Sequence, residues 1–194
     1  PDSALALARR NAEEKSLGGW LLTLDFPIYS AVMGHATDRS LRETIYTAFS
    51  TRASDQGPHA GRWDNSPVIE EILAKRHALA NLVGFANYAE YSLARKMAES
   101  AEQVRTFLLD LARQSKPMAE TEFETLRQFA ADELGLEALE PWDVSFASER
   151  LRKARFDVSQ EHLRPYFPMP TVLDGLFETV RRLFGARIAA RPDV

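Results

Sequence analysis

No cysteine occurs anywhere in the 194 residues. That absence excludes a disulfide framework, thiolate metal sites and cysteine nucleophile chemistry. No apolar run approaches the roughly 20 residues that a helix needs to span a bilayer, so no membrane partner is expected. A basic stripe is also missing. Lys and Arg number 24 against 28 Asp and Glu, and the net charge of −4 is spread with both signs interleaved, so nucleic acid is not the expected partner. The start, Pro1-Asp2-Ser3-Ala4-Leu5-Ala6, lacks the basic region and apolar core of a signal peptide. Together with the missing cysteines this leads to an expected cytoplasmic location. There is no initiating Met, Leu5 to Lys15 reads as the end of a helix already under way, and Val194 ends without a tail. Both ends read as cut, and the chain as an internal piece of a longer protein.

What is present is ordinary soluble-protein material. Hydrophobic residues make up 45% and charged residues 27%, enough for a core without staples. Trp20, Leu22, Leu24 and Phe26 alternate, which makes Trp20 to Phe26 the one strand candidate. The rest reads as helix. Asp38 to Thr51 carries Leu41, Ile45 and Phe49 on one face, with Ser40 and Glu43 at capping-box spacing. Ala53 to Asn65 has two glycines, one proline and no helical period, and reads as a loop of a length that is often functional or mobile. Ser66 and Pro67 start a helix that Gly84 stops. Asn87 caps a short helix to about Met97, and Ser100 with Gln103 caps another. In that one Val104, Phe107, Leu108 and Leu111 run helically, and Pro117 is expected to interrupt or kink it before it resumes to Gly135. Pro141-Trp142-Asp143 opens a helix to about Arg155, Gln160 to Tyr166 is a helical turn, and Pro170 starts a last helix capped by Gly185. The expected fold is all-α, an irregular array of eight or nine helices with at most one short early strand. Residues 1–194 read as a single helical unit with no internal boundary.

Chemistry is sparse. A helical zinc site of the His-Glu-x-x-His type needs two histidines one turn apart. His35, His59, His77 and His162 are followed by Ala36, Ala60, Ala78 and Leu163, and no two are four apart. His77 reads as a polar-face histidine, and His59 as an exposed loop histidine that could contact a substrate. Glu120, Glu122 and Glu124 cluster, but with Arg113, Lys116 and Arg127 nearby they read as a solvated helix face. Asp143 and Glu149 are read the same way. Gly57 and Gly61 lack the Lys-Ser/Thr of a phosphate-cradling loop. The aromatics Phe107, Phe123, Phe129, Phe177 and Phe184 fall at core spacing. No residue is assigned to catalysis or to metal binding, and substrate-binding residues stay unassigned.

Eight stretches nevertheless share one resemblance. They are Gly19 to Tyr29, Leu41 to Pro58, Trp63-Asp64-Asn65, Pro67 to Ala74, Leu82 to Ala89, Lys96 to Ser100, Pro141-Trp142-Asp143 and Leu163 to Pro168. In this order they resemble the thimet oligopeptidase and neurolysin family of zinc metallopeptidases. The run Thr51-Arg52-Ala53-Ser54-Asp55-Gln56-Gly57-Pro58 is similar to the oligopeptidase A type rather than the dipeptidyl carboxypeptidase type. The resemblance implies a helical piece of a larger two-lobed enzyme with a deep channel that cuts short peptides at one zinc. It also implies that the zinc-binding segment lies after this region, so no zinc is bound by this chain. One departure is Phe146-Ala147, where the family tends to carry a Tyr-Tyr pair. The expected role is a channel wall that is inactive alone, with oligopeptides as substrates of the parent enzyme and self-association possible through exposed apolar faces. The other reading is a stand-alone helical module that holds peptides or a partner protein.

Overall fold

The computed structural model describes residues 1–157 and 163–189. Eight α-helices and one 3-10 turn are found among them, with no strand. The helices are α1 (Asp2–Glu14), α2 (Phe26–His35), α3 (Arg39–Ser50), α4 (Ser66–Leu82), α5 (Tyr88–Leu93), α6 (Ala101–Leu134), α7 (Pro141–Phe156) and α8 (Met169–Phe184), and the turn is Arg164–Tyr166. The described chain divides into two compact units. One is Asp2–Glu149 and the other begins at Arg150.

In the first unit the core forms where α1, α2 and α3 meet. Ala8, Ile28, Val32, Met33 and Ile45 are buried together, with Leu22, Leu24, Tyr46 and Trp142 packed around them. Tyr29 of α2 stacks on Phe49 of α3 with ring centroids 3.9 Å apart. The alternation at Trp20 to Phe26 does not become a strand. A strand needs a partner for its backbone groups, and no second extended segment is available among the described residues. The Leu21 amide instead donates to the Ala8 carbonyl at 2.9 Å. Leu22 and Leu24 alternate because one side of this segment lies on the core, and Phe26 already belongs to α2.

Helix starts follow local chemistry. Asp38 caps α3, its carboxylate accepting from the Leu41 amide, so the cap sits two residues before Ser40. Ser40 instead accepts, through its carbonyl, a hydrogen bond from the Thr44 hydroxyl. Asn87 caps α5 by accepting from the Glu90 amide, and Ser100 caps α6 by accepting from the Gln103 amide. The helix after Asn87 ends at Leu93, short of Met97. Helix α6 runs 34 residues without a break, with Pro117 inside it, so the expected interruption does not occur. Gly135, at φ 66°, ends it, and Gly185, at φ 67°, ends α8. Both glycines take a left-handed backbone that other residues adopt at a cost. No helix among the described residues is long and apolar enough to cross a membrane.

Candidate functional site

Two features of the first unit concentrate polar chemistry. The first joins α3 to the start of α7. Asp143 is 0% exposed and Arg42 is 1% exposed. Arg42 Nη2 donates to Asp143 Oδ1 at 2.7 Å, and Arg39 donates to Oδ2 from Nη2 at 2.7 Å and from Nε at 3.0 Å. The Glu140 amide donates to Oδ2 at 3.2 Å. Arg42 has further acceptors for its remaining N–H groups. Nη1 donates to the Ala36 carbonyl at 2.7 Å and Nε to the Trp142 carbonyl at 3.2 Å. Its guanidinium lies 4.2 Å from the Phe146 ring centroid. Arg39 Nη2 also reaches the Ala138 carbonyl.

This arrangement corrects the reading of Asp143 as a solvated residue. Burial alone pushes the carboxyl up. The hydrogen bonds from Arg39, Arg42 and the Glu140 amide outweigh it and hold the group below the ordinary carboxylate range. The carboxylate lone pairs are all engaged and both cations are arginines, which stay protonated. The cluster therefore works as a clamp and not as a proton relay. Phe146 and Ala147 are both buried beside it.

The second feature is the loop of residues 53–65 between α3 and α4. It is tied by its own backbone. The Asn65 amide donates to the Ala53 carbonyl at 3.0 Å, the Gly61 amide to Ser54 at 3.3 Å, and the Ala60 amide to Gly57 at 3.1 Å. Ser54 Oγ donates to the Thr51 carbonyl and accepts from the Gln56 amide. Ala53 sits at φ 52° and Gly57 at φ 79°. A Cβ on Gly57 would overlap the Thr51 side chain. Trp63 is 58% exposed, with the Arg62 guanidinium 4.3 Å from its ring and the His59 ring 5.6 Å away. Next to it Asp64 Oδ1 accepts from the Ser66 amide and hydroxyl, which hold its carboxyl below the usual value.

The remaining candidates lie apart. Glu124 pairs with Arg127 at 2.7 Å and Glu120 with Lys116 at 3.6 Å, all on the exposed flank of α6. A depression of about 820 Å³ runs beside them, but it is lined by α6 alone and has no opposite wall. His77 shares a 2.9 Å contact with Asn81 one turn on. His35 is exposed at the end of α2. His162, with Gln160 and Glu161 at the start of the expected turn, lies outside the described residues, and the rest of that turn includes the 3-10 turn Arg164–Tyr166. Among the described residues no three His, Asp or Glu side chains converge as a metal site would require. Sequence reasoning missed Arg39 and Arg42 altogether. The available signal was the placement of Arg42 between Leu41 and Ile45 on the buried face of α3.

The model of Peptidase family M3 matches residues 32–194. Oligopeptidase A of Salmonella typhimurium is 54% identical over 194 residues, covering all of this chain and 28% of that protein. Oligopeptidase A of Escherichia coli is 53% identical over the same length and share. A probable cytosolic oligopeptidase A of Arabidopsis thaliana is 42% identical over 95% of this chain and 27% of its own length. The chain thus spans a little over a quarter of the length of these relatives.

Proposed function

Since the chain belongs to peptidase family M3, with residues 32–194 matching it, we propose that it is the helical channel-wall segment of an enzyme that hydrolyses oligopeptides. One observation carries the reading: identity of 53–54% to oligopeptidase A runs through the whole chain and not through one motif. A wall built of α-helices suits this role, because their backbone groups are satisfied internally and only side chains face a substrate path. The clamp supports the same role by fixing α7 to α3 with two arginines on one carboxylate.

Among the described residues no donor set fits the metal of such a peptidase. A zinc site takes three neutral or anionic donors around one open position. The most buried carboxylate, Asp143, is saturated by two guanidiniums and has no lone pair to give. The metal, taken as zinc, and the general base are therefore assigned to polypeptide beyond these residues, and the chain alone is inactive. A quenched-fluorescent oligopeptide incubated with the isolated chain and added zinc tests this. No turnover is expected, and zinc-dependent cleavage removed by a chelator would overturn it. A cytoplasmic setting is proposed with it, supported by the relative described as a probable cytosolic oligopeptidase A.

A further inference from the structure

The loop of residues 53–65 is ordered without burying anything apolar. Its aromatic and aliphatic side chains are exposed, yet four backbone hydrogen bonds close it on itself. Ala53 takes a left-handed conformation that alanine adopts only at a cost, and Gly57 fits only because it has no Cβ. A chain that accepts strain where no core is gained is holding a surface in place. What this loop holds up is Trp63 with a cation stacked on it.

Arg62 differs from the arginines that are neutralised along helices, and resembles Arg76, which lies on the Tyr88 ring. Arg9, Arg105, Arg113, Arg127, Arg181 and Arg182 each pair with a carboxylate on their own helix. The Arg62 side chain forms no ion pair or hydrogen bond among the described residues; its guanidinium rests on the Trp63 ring, while its backbone amide donates to the His59 carbonyl. A guanidinium lying on an aromatic ring still has its N–H edge available for a carboxylate. Of the two acidic residues in the loop, Asp64 is occupied by Ser66, and Asp55 is exposed eight residues away from Trp63 in sequence.

We propose that this loop docks the carboxyl end of an oligopeptide, with the Trp63 ring as platform for an apolar side chain and Arg62 as partner of the terminal carboxylate. His59, at the edge of the same ring, closes one side of the platform. The proposal rests on the oligopeptide reading above and names the part of the wall that meets the substrate.

The test is fluorescence anisotropy on the full chain with an N-terminally labelled hexapeptide that has Phe next to last. It is used both as the free acid and as the amide. The acid is expected to bind at least about fivefold more tightly than the amide. Arg62→Gln should abolish that preference, bringing acid and amide to equal affinity. Trp63→Ala should weaken both forms about fivefold, and Trp63→Phe should keep affinity within about twofold. Circular dichroism on each variant shows whether the fold is intact, and if Trp63→Ala unfolds, Arg62→Gln and Trp63→Phe decide alone. Absence of saturable binding, equal affinity for acid and amide, or an Arg62→Gln variant with wild-type preference each overturns the proposal. None of these touches the peptidase reading, which is read by turnover in the longer polypeptide that carries this chain.

Discussion

At the scale of single residues, the largest stake lies in Asp143. Arg42 is buried with it, so removing the carboxylate strands a cation away from water. Asp143→Ala is expected to destabilise the first unit by about 3–5 kcal/mol. Arg42→Ala strands the carboxylate only in part, because Arg39 remains, and should cost less than that. Arg39 is 47% exposed in its side chain, and its loss should cost only about 1 kcal/mol. Urea unfolding of the three variants ranks them, and an Arg39→Ala cost above that of Arg42→Ala would contradict the clamp as described. The pH dependence has a definite sign. The folded carboxyl lies below its unfolded value of about 3.9. The unfolded chain therefore binds the proton first as pH falls. The stabilisation is complete above about pH 5 and disappears as pH drops through the folded value. Between pH 5 and 2 the wild-type chain should lose stability more steeply than Asp143→Asn. None of this was legible in the sequence. Arg42 and Asp143 are 101 positions apart, and a pair so distant leaves no local spacing to read. A charged residue among Leu41, Ile45 and Phe49 was the only hint, and periodicity alone treats it as noise.

At the scale of elements, the sequence was far more informative. Caps and stops are local: Asn87, Ser100, Gly84, Gly135 and Gly185 act through residues within one turn, and all five sit where their chemistry requires. The errors came where a local rule met a longer-range fact. Pro117 breaks one hydrogen bond in α6, but the 33 other residues keep the helix whole, and the flank around it is exposed, so water reaches the freed carbonyl. Pro117→Ala is accordingly expected to stabilise α6 by about 1–3 kcal/mol, seen as a higher melting temperature by circular dichroism. A lower one would mean that the proline shapes the helix for a purpose. The loop after α3 gives the opposite prediction. Gly57→Ala meets both the positive φ and the Thr51 side chain, and should cost more than about 1–2 kcal/mol. In a Thr51→Ala background the overlaps with Oγ1 and Cγ2 are gone but the one with Cβ, at 2.6 Å, remains, so the cost of Gly57→Ala should fall only in part. Additive effects in this double-mutant cycle would show that the contact does not matter.

At the scale of the whole molecule, the decisive fact is how much apolar surface has no cover. Phe107, Leu108, Leu111 and Met118 on α6 are exposed, as are Leu173, Leu176 and Leu183 on α8. The α8 residues, with Val180, recur at spacings of three and four, which is the pattern of a face made to be buried. Soluble monomers rarely expose contiguous apolar patches beyond a few hundred Å². The chain spans 28% of the length of oligopeptidase A of Salmonella typhimurium, and exposed faces of this pattern are what a part of a larger protein presents. In isolation the same faces have only each other. Light scattering after size exclusion should therefore give a mass that rises from monomer toward dimer and beyond with concentration. Leu176→Glu and Leu108→Glu place a charge at the centre of each face and should return the chain to monomer, with helicity unchanged because both sites are exposed. A wild-type chain that stays monomeric across concentrations would remove the argument. Association that survives both substitutions would move it to another surface. Loss of association in only one variant would assign the contact to that helix, and the other apolar face would then be the one reserved for the rest of the polypeptide.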